Sequence, residues 1–203
     1  LHPDFQRKVK EFITLFKSKV HEYDEMVTGN IIFQNRMKNV GCLSKEDAIS
    51  YGCTGPTARG SGVSCDIRKL YPYAVYNKVD FEEITETGGD SFARYMVRIR
   101  EMHQSIKIIE QLIDNIPGGD FQAKIKAFIK LPKGEFYTRV ETARGELGVY
   151  IVSEGGTTPY RIKFRSPGFS NLSVLDHIAR GGKLGDLVAM MGTLDLVIPD
   201  IDR

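Results

Sequence analysis

The spacing of apolar residues changes once along this chain, and the change limits the folds open to it. Before Gly134, apolar side chains recur every three or four residues, which is the spacing of one face of an α-helix. After Gly134 they alternate with polar residues, as in a half-buried β-strand. Helices followed by a run of closely spaced strands predict an α+β fold: a predominantly helical bundle with a small antiparallel sheet near the C-terminus.

Two long helices are predicted in the first part of the chain. Apolar residues from Phe5 to Val27 share one helix face, and Gly29 is expected to end that helix. Asp90 is a typical N-cap residue, and the apolar face that follows it continues to Ile116, just before Pro117. At about 1.5 Å per residue, this second helix would reach about 40 Å, which suits an element of a helical bundle.

Shorter elements complete the pattern. Ser44 and Asp47 form a capping pair at the start of a short helix. Further predicted helices are Gln122 to Leu131, Ser170 to Arg180 and Leu184 to Met191, and the predicted strands run through Phe136 to Val140, Gly148 to Ser153 and Pro159 to Arg165. We therefore expect a helical region at 1–132, with a Gly/Pro-rich loop at 52–62, and a second region at 133–203. The second region would contain the sheet, short helices and a C-terminal tail.

The loop from Gly52 to Gly62 combines several glycines with Arg59. Glycine amides and an arginine could surround an anion such as phosphate. The loop contains neither the G-K-[ST] ending of a P-loop nor the G-x-G-x-x-G pattern of a dinucleotide turn. A packing loop explains the composition better, with Gly55 and Gly62 at positive φ and Arg59 contacting a carboxylate or a partner.

Two arginines lie one turn apart on the long predicted helix. Arg94 and Arg98 are close enough to Asp90 and Glu101 to form ion pairs on the helix surface. We expect solvated pairs there; the alternative is a buried network that faces another subunit.

Composition excludes several classes of protein. The chain has 203 residues and a formal charge of +2, with cations and acids intermixed, so we expect no nucleic-acid partner. It has no uncharged apolar run of about 18 to 20 residues, so membrane association would come through partners. The spacing of Cys42, Cys53 and Cys65 fits neither a disulfide framework nor a C-x-x-C metal site, and we expect reduced thiols. The four histidines are dispersed, so we expect them at the surface or at an interface.

The last nine residues resemble a metal-binding chain end that has lost its ligands. Large subunits of nickel-iron hydrogenases end in D-P-C-x-x-C, often followed by an acid and an arginine. Asp195 corresponds to the leading acid, Val197 and Asp200 stand at the two cysteine positions, and Asp202 and Arg203 correspond to the final pair. Nickel and low-spin iron need thiolate ligands, and valine offers no donor atom, so we expect no bound metal.

A series of collinear motifs resembles the 49 kDa-type subunit, also lettered D, of the proton-pumping NADH:quinone oxidoreductase, respiratory complex I. The motifs are Gly55-Pro-Thr-Ala-Arg-Gly-Ser-Gly62, Asp66 to Tyr73, Gly89-Asp90 with Arg94, Arg98, Glu101 and Ser105, Gly145-Glu146-Leu-Gly-Val-Tyr150, and Pro159-Tyr-Arg161. The resemblance implies that these complex I subunits are related to the hydrogenase large subunits but have lost the metal. The chain starts at Leu1 without Met, so we expect it to be part of a longer protein that lacks roughly its first half here.

The resemblance implies a peripheral-arm subunit that helps to form the quinone-reduction site beside the terminal iron-sulfur cluster. Electron transfer from NADH to quinone would there be coupled to proton translocation. The chain would carry no catalytic residue, metal or cofactor of its own; quinone would be the substrate, and iron-sulfur clusters would belong to partner subunits. The implied partners are the small iron-sulfur subunit, neighbouring peripheral subunits and the membrane subunit at the quinone channel, on the cytoplasmic side of the bacterial inner membrane.

The site residues follow from the same resemblance. The tail would line the quinone pocket through Asp195, Leu196, Val197 and Asp202. Residues with a structural or interface role would be Gly55, Arg59, Gly62, Asp90, Arg94, Arg98, Arg161 and Arg203.

Two other functions are related to parts of this pattern. An active nickel-iron hydrogenase is excluded because no cysteine follows Cys65. A structural assembly module of a hydrogenase-like complex, without its own redox centre, stays open as the alternative.

Overall fold

Helices precede and follow a single sheet in the computed structural model, which describes residues 2–120, 122–125 and 128–202. The helices before the sheet are α1 (Phe5–Tyr23), α2 (Ile31–Met37), α3 (Lys45–Ser50), α4 (Gly55–Arg59), α5 (Ile67–Leu70) and α6 (Ser91–Leu112). The strands are β1 (Gly134–Thr142), β2 (Gly145–Ser153) and β3 (Arg161–Arg165). The helices after them are α7 (Pro167–Leu172), α8 (Leu175–Ala179), α9 (Leu184–Leu194) and α10 (Ile198–Ile201). This order confirms the predicted α+β fold.

The ends of the two long helices follow local chemistry. A π-helical turn, Asp24–Thr28, continues α1 as far as Gly29, so the predicted end is confirmed. Asp90 caps α6 as predicted, since its Oδ1 accepts a hydrogen bond from the Ala93 amide at 2.8 Å. The expected extension of α6 to Ile116 is wrong. The helix ends at Leu112, where the Asn115 amide bonds to the Leu112 oxygen at 3.0 Å and tightens the chain into a turn.

The helix predicted from Gln122 to Leu131 is wrong for the residues that the structure describes. Residues 122–125 and 128–131 form no helix, and residues 126 and 127 lie outside the description. The apolar residues Ile125, Phe128 and Ile129 in this segment are exposed. A short helix depends on burying its apolar face. The apolar side chains of this segment are exposed, so the packing that would stabilise a helix is missing.

The sheet has the order β1-β2-β3 with antiparallel pairing throughout, as predicted. Phe136 lies opposite Ile151, which in turn lies opposite Ile162, so these three side chains share one face. The other face carries Glu141 from β1 and Arg165 from β3. Its end nearest the β1–β2 turn packs against α4 and α5.

One apolar core combines residues that precede the sheet in the sequence with residues that follow it. Its buried members are Leu43, Ala48, Cys53, Ala58, Val174, Ile178, Met190 and Leu194. The boundary between 132 and 133 stays a prediction. No helix in the described part of the chain is both long and apolar enough to cross a membrane.

Candidate functional site

Arg59 lies at the centre of a buried ion cluster. Its Nη2 is 2.6 Å from Glu101 Oε1 on α6, and its Nη1 donates to Glu141 Oε1 on β1 at 2.8 Å. The side chain of Arg59 is 1% exposed, that of Glu141 4% and that of Glu101 19%. These three residues, called the Arg59 cluster below, connect α4, α6 and β1. The predicted carboxylate contact of Arg59 is confirmed. The prediction of a loop over 52–62 is wrong for residues 55–59, because Gly55–Arg59 forms α4.

The loop conformation depends on glycine where it meets the sheet. Gly55 has φ +65°, and a Cβ there would lie 2.4 Å from the Arg144 backbone oxygen. Only glycine can occupy such a position without displacing the neighbouring backbone. Gly62 also has a positive φ of +78°, as predicted, but a Cβ there would meet nothing closer than 3.7 Å.

Burial and charge oppose each other in the Arg59 cluster. Burial alone would lower the pKa of Arg59, but the carboxylates of Glu101 and Glu141 outweigh it and raise the pKa. Burial raises the pKa of both glutamates, although Arg59 acts in the opposite direction. Both carboxyl groups therefore hold a proton more readily than an exposed glutamate does.

A second ion pair, between Asp66 and Arg68, lies beside the Arg59 cluster. Asp66 caps α5, and Arg68 binds it with two nitrogens, Nε at 2.9 Å and Nη2 at 2.6 Å. Burial would raise the pKa of Asp66, but Arg68 outweighs burial and lowers it. Asp66 consequently stays ionised while the neighbouring glutamates are easier to protonate.

These charged groups surround an open cavity of about 540 Å³ between α6 and the β1–β2 turn. Its charged lining consists of Arg59, Arg68, Arg98, Glu101, Glu141 and Asp195. Three of the predicted site residues, Arg59, Arg98 and Asp195, are thus brought together here. Phe16 and Met102 provide apolar surface in the same cavity.

The predicted surface pairs of Arg94 and Arg98 are wrong. Asp90 is engaged by backbone amides, and Glu101 contacts Arg59 instead. Arg98 donates to the Arg94 oxygen at 2.9 Å, and within the described residues it has no ion pair. Burial lowers its pKa.

Arg94 is fully buried and joins segments that are distant in sequence. It donates to the oxygens of Gly89 and Gly41 at 2.9 and 3.0 Å, and to hydroxyls of Ser91 and Thr193 at 3.1 and 3.2 Å. Burial, and then the charge of Arg98, lower its pKa to about 10. Arg94 is a structural residue that ties α6 to α9.

The tail begins at Asp195, directly after α9. Asp195 adopts a left-handed backbone with φ 55° and directs its carboxylate to Arg144, whose Nε is 3.3 Å from Oδ2. The same Nε donates to the Asp195 backbone oxygen at 3.3 Å. Leu196 packs against the apolar core. Sequence reasoning missed Arg144, although three acids in one short tail already required a cation.

The rest of the tail lies along α7. Asp200 Oδ2 accepts from the Gly168 amide at 2.8 Å, and Ser166 Oγ donates to the Asp200 backbone oxygen. Val197 is half-buried and Asp202 is exposed. Neither of them lines the cavity that Asp195 lines. Arg203 lies outside the described residues.

Arg161, the remaining predicted site residue, is exposed on β3. Among the described residues, no group of three or more His, Cys, Asp or Glu side chains could hold a metal ion. Burial raises the pKa of both the Cys53 and the Cys65 thiol to about 11, which makes them poor ligands and nucleophiles. All four histidines are exposed, as predicted.

Comparison with known proteins gives one consistent result. The family model described as "Respiratory-chain NADH dehydrogenase, 49 Kd subunit" matches residues 1–129 and 122–203. The C/D-type subunit of a Bacteroides thetaiotaomicron NADH-quinone oxidoreductase is 56% identical over 100% of this chain and 38% of its own length. The D 2-type subunit of the same oxidoreductase from Solibacter usitatus is 47% identical over 98% of this chain and 54% of its own.

A more distant relative agrees with these two. The H 2-type subunit of a Gloeobacter violaceus NAD(P)H-quinone oxidoreductase is 39% identical over 97% of this chain and 56% of its own length. The chain therefore spans about two fifths to just over half of the relatives that it matches.

Proposed function

Because the chain belongs to the family of the 49 kDa subunit of respiratory-chain NADH dehydrogenase, we propose that it is part of an NADH:quinone oxidoreductase subunit and forms one wall of the quinone-reduction site. The tail from Asp195 to Asp202 would be that wall. The names of the relatives, which specify a quinone oxidoreductase, support this assignment.

The proposal depends on one observation, the fixed start of the tail. Asp195 is held by Arg144 at 3.3 Å, and Leu196 is anchored in the apolar core. Val197, the next residue, is therefore held in place while it stays partly accessible. A wall that positions a substrate needs this combination of fixed backbone and accessible side chain.

The chain would contribute shape and charge while other subunits contribute the redox centres. Electrons would arrive from iron-sulfur clusters in partner subunits, the small iron-sulfur subunit above all. Reduction of a quinone takes up protons together with electrons. Glu101 and Glu141, whose pKa burial raises, are suited to hold a proton beside the cavity. We propose that they take part in the coupling of quinone reduction to proton translocation.

The same proposal covers partners and location. Neighbouring peripheral subunits and the membrane subunit at the quinone channel would complete the site, on the cytoplasmic side of the membrane. The isolated chain should neither oxidise NADH nor reduce quinone.

Replacement of Val197 by phenylalanine in the intact complex tests the quinone wall. Overpacking of a fitted site costs about 1–3 kcal/mol, so we expect quinone KM or inhibitor affinity to change at least several-fold, with normal assembly on native gels. Val188→Phe is the matched control, because Val188 is 73% exposed on α9. It should leave both quantities unchanged.

An assembly module without a role at the quinone site is the alternative. It is favoured by the exposure of Asp202 and by the absence of Val197 from the charged cavity. Unchanged quinone and inhibitor kinetics in a fully assembled Val197→Phe complex would support this alternative and refute the wall.

A further inference from the structure

Strand β3 forms one edge of the sheet and has two chemically different faces. Arg161 and Lys163 point to one face, and Ile162 and Phe164 point to the other. All four side chains are exposed. The backbone groups on the outer side of an edge strand are available to pair with another strand.

The cationic face is not neutralised by the described residues. Among the described residues, the side chains of Arg161 and Lys163 form no hydrogen bond or ion pair. The side chain of Arg165, in contrast, donates to Gly52, Thr54 and Glu146. Together with Tyr137 and Tyr150, the three cations line a surface cavity of about 480 Å³.

Two glutamates bind the tyrosines that line this cavity. The Tyr137 hydroxyl donates to Glu146 at 2.8 Å, and the Tyr150 hydroxyl donates to Glu135 at 2.6 Å. Arg139 also lies 3.6 Å from Glu146. In the part of the chain that the structure describes, neither glutamate forms an ion pair with Arg161 or Lys163, so the positive charge of these two side chains is available to a ligand.

The opposite face of the same strand is apolar. Ile162 is 46% exposed and Phe164 47%, and Phe136 on β1 is 40% exposed on the same face. Exposed apolar side chains that share one face of a sheet are typical of interaction surfaces.

We propose that the β3 edge binds an extended segment of another subunit, in which acidic and apolar residues alternate. The added strand would pair with the β3 backbone, place its acids against Arg161 and Lys163, and cover Ile162 and Phe164 with its apolar side chains. Only a strand has side chains that alternate in this register. An anionic membrane surface fits less well, because it cannot meet cations on one face of a sheet and apolar groups on the other.

The β1 edge does not offer the same combination. It lies beside α5, where the Tyr73 hydroxyl bonds to the backbone of Glu141 and Arg139 stacks on Tyr71. The interaction is therefore assigned to β3 and not to the sheet in general.

A charge-swap titration tests the chemistry. The probe is a fluorescent seven-residue peptide of alternating glutamate and valine, titrated into the 203-residue chain and monitored by anisotropy. We expect binding that weakens at least about tenfold for a peptide of the same composition in block order, and likewise after methylation of the backbone nitrogens that face β3.

The reciprocal variant provides the decisive comparison. Arg161→Glu with Lys163→Glu should lose the glutamate peptide and gain the corresponding lysine-valine peptide. Lys8→Glu with Lys45→Glu changes the net charge equally at exposed, unpaired positions on other elements and should keep the original preference. Circular dichroism confirms that both variants are folded. Equal binding of alternating and block peptides, or no effect of the swap at β3, would overturn the proposal, as would binding of phosphatidylglycerol vesicles but not of the peptide.

Cross-linking in the assembled complex tests the source of the strand. A carbodiimide joins a lysine amine to a carboxylate within contact distance. We expect Lys163 to be joined to an acidic residue of another subunit, within a segment of alternating acidic and apolar residues. Cross-links of Lys163 only within its own chain, or none at all, would refute the assignment. Neither experiment involves quinone, so the result is independent of the proposed quinone wall.

Discussion

The replacement Arg59→Met tests how strongly the Arg59 cluster contributes to folding. It leaves the carboxylates of Glu101 and Glu141 without their cation, in surroundings where their side chains are 19% and 4% exposed. Removal of one partner from a buried ion pair costs about 3–5 kcal/mol. With a urea m-value of about 2–3 kcal/mol per molar for a chain of this size, the unfolding midpoint should fall by about 1–2.5 M at pH 8.

The loss should depend on pH in a defined direction. Burial already raises the pKa of both glutamates, and loss of Arg59 raises it further because Arg59 favours their ionised form. When the pKa of a carboxyl group is higher in the folded than in the unfolded state, protonation of that group stabilises the fold. This contribution is complete at pH values below the unfolded-state pKa and is lost as the pH rises through the folded-state pKa. The difference between Arg59→Met and the parent should therefore be largest at pH 8 and shrink as the pH falls toward 5.

Urea unfolding of three variants at pH 8 and pH 5 measures both effects. Arg100→Met is the matched control, because Arg100 is 54% exposed and its pair with Glu86 should contribute at most about 1 kcal/mol. The triple variant Arg59→Met, Glu101→Gln, Glu141→Gln removes all three charges and should recover a large part of the stability. An Arg59→Met midpoint within about 0.3 M of the parent at pH 8, or a deficit that grows toward pH 5, would refute the reasoning.

Two further predictions concern backbone fit and thiol chemistry. Gly55→Ala should cost several kcal/mol in urea unfolding, because its Cβ would lie 2.4 Å from a backbone oxygen, whereas Gly52→Ala, with φ +66° and open space around it, should cost only about 1 kcal/mol; equal losses would contradict this. Cys53 and Cys65, with pKa values raised to about 11 by burial, should react with maleimide at pH 8 at least tenfold more slowly than exposed Cys42, and equal rates would show that the core opens readily.

Features set by neighbouring residues could be predicted from the sequence. The Asp90 cap and the Ser44–Asp47 pair each join residues three positions apart, and β2 pairs with β3, the next strand along the chain. The alternation of apolar and polar residues after Gly134 also predicted strands with two different faces, and β3 has them. The segment after Gln122 failed because helical spacing alone does not create a surface to pack against.

The partners of buried charges could not be predicted in the same way. Glu141 lies 82 positions after Arg59, and Thr193 lies 99 positions after Arg94. For Arg94, the sequence suggested an ion pair with an acid of the same helix at the surface. Arg94 is buried instead, and it bonds to residues of other segments. Local spacing identifies which charges are candidates for pairing, whereas the packing of distant elements decides which of them pair.

The C-terminal tail, whose sequence resembles a metal-binding chain end, is held by contacts within the protein. Cysteine ligands would tie such a tail to a metal, and no thiol is present after Cys65. Three kinds of contact hold it here: the ion pair of Asp195 with Arg144, the packing of Leu196 in the core, and the bond from the Gly168 amide to Asp200. The three acids of the tail are in different environments: Asp195 pairs with Arg144, Asp200 accepts from the Gly168 amide, and Asp202 is exposed. Asp195 and Leu196 therefore fix the position of Val197, as the proposed substrate-positioning wall would require.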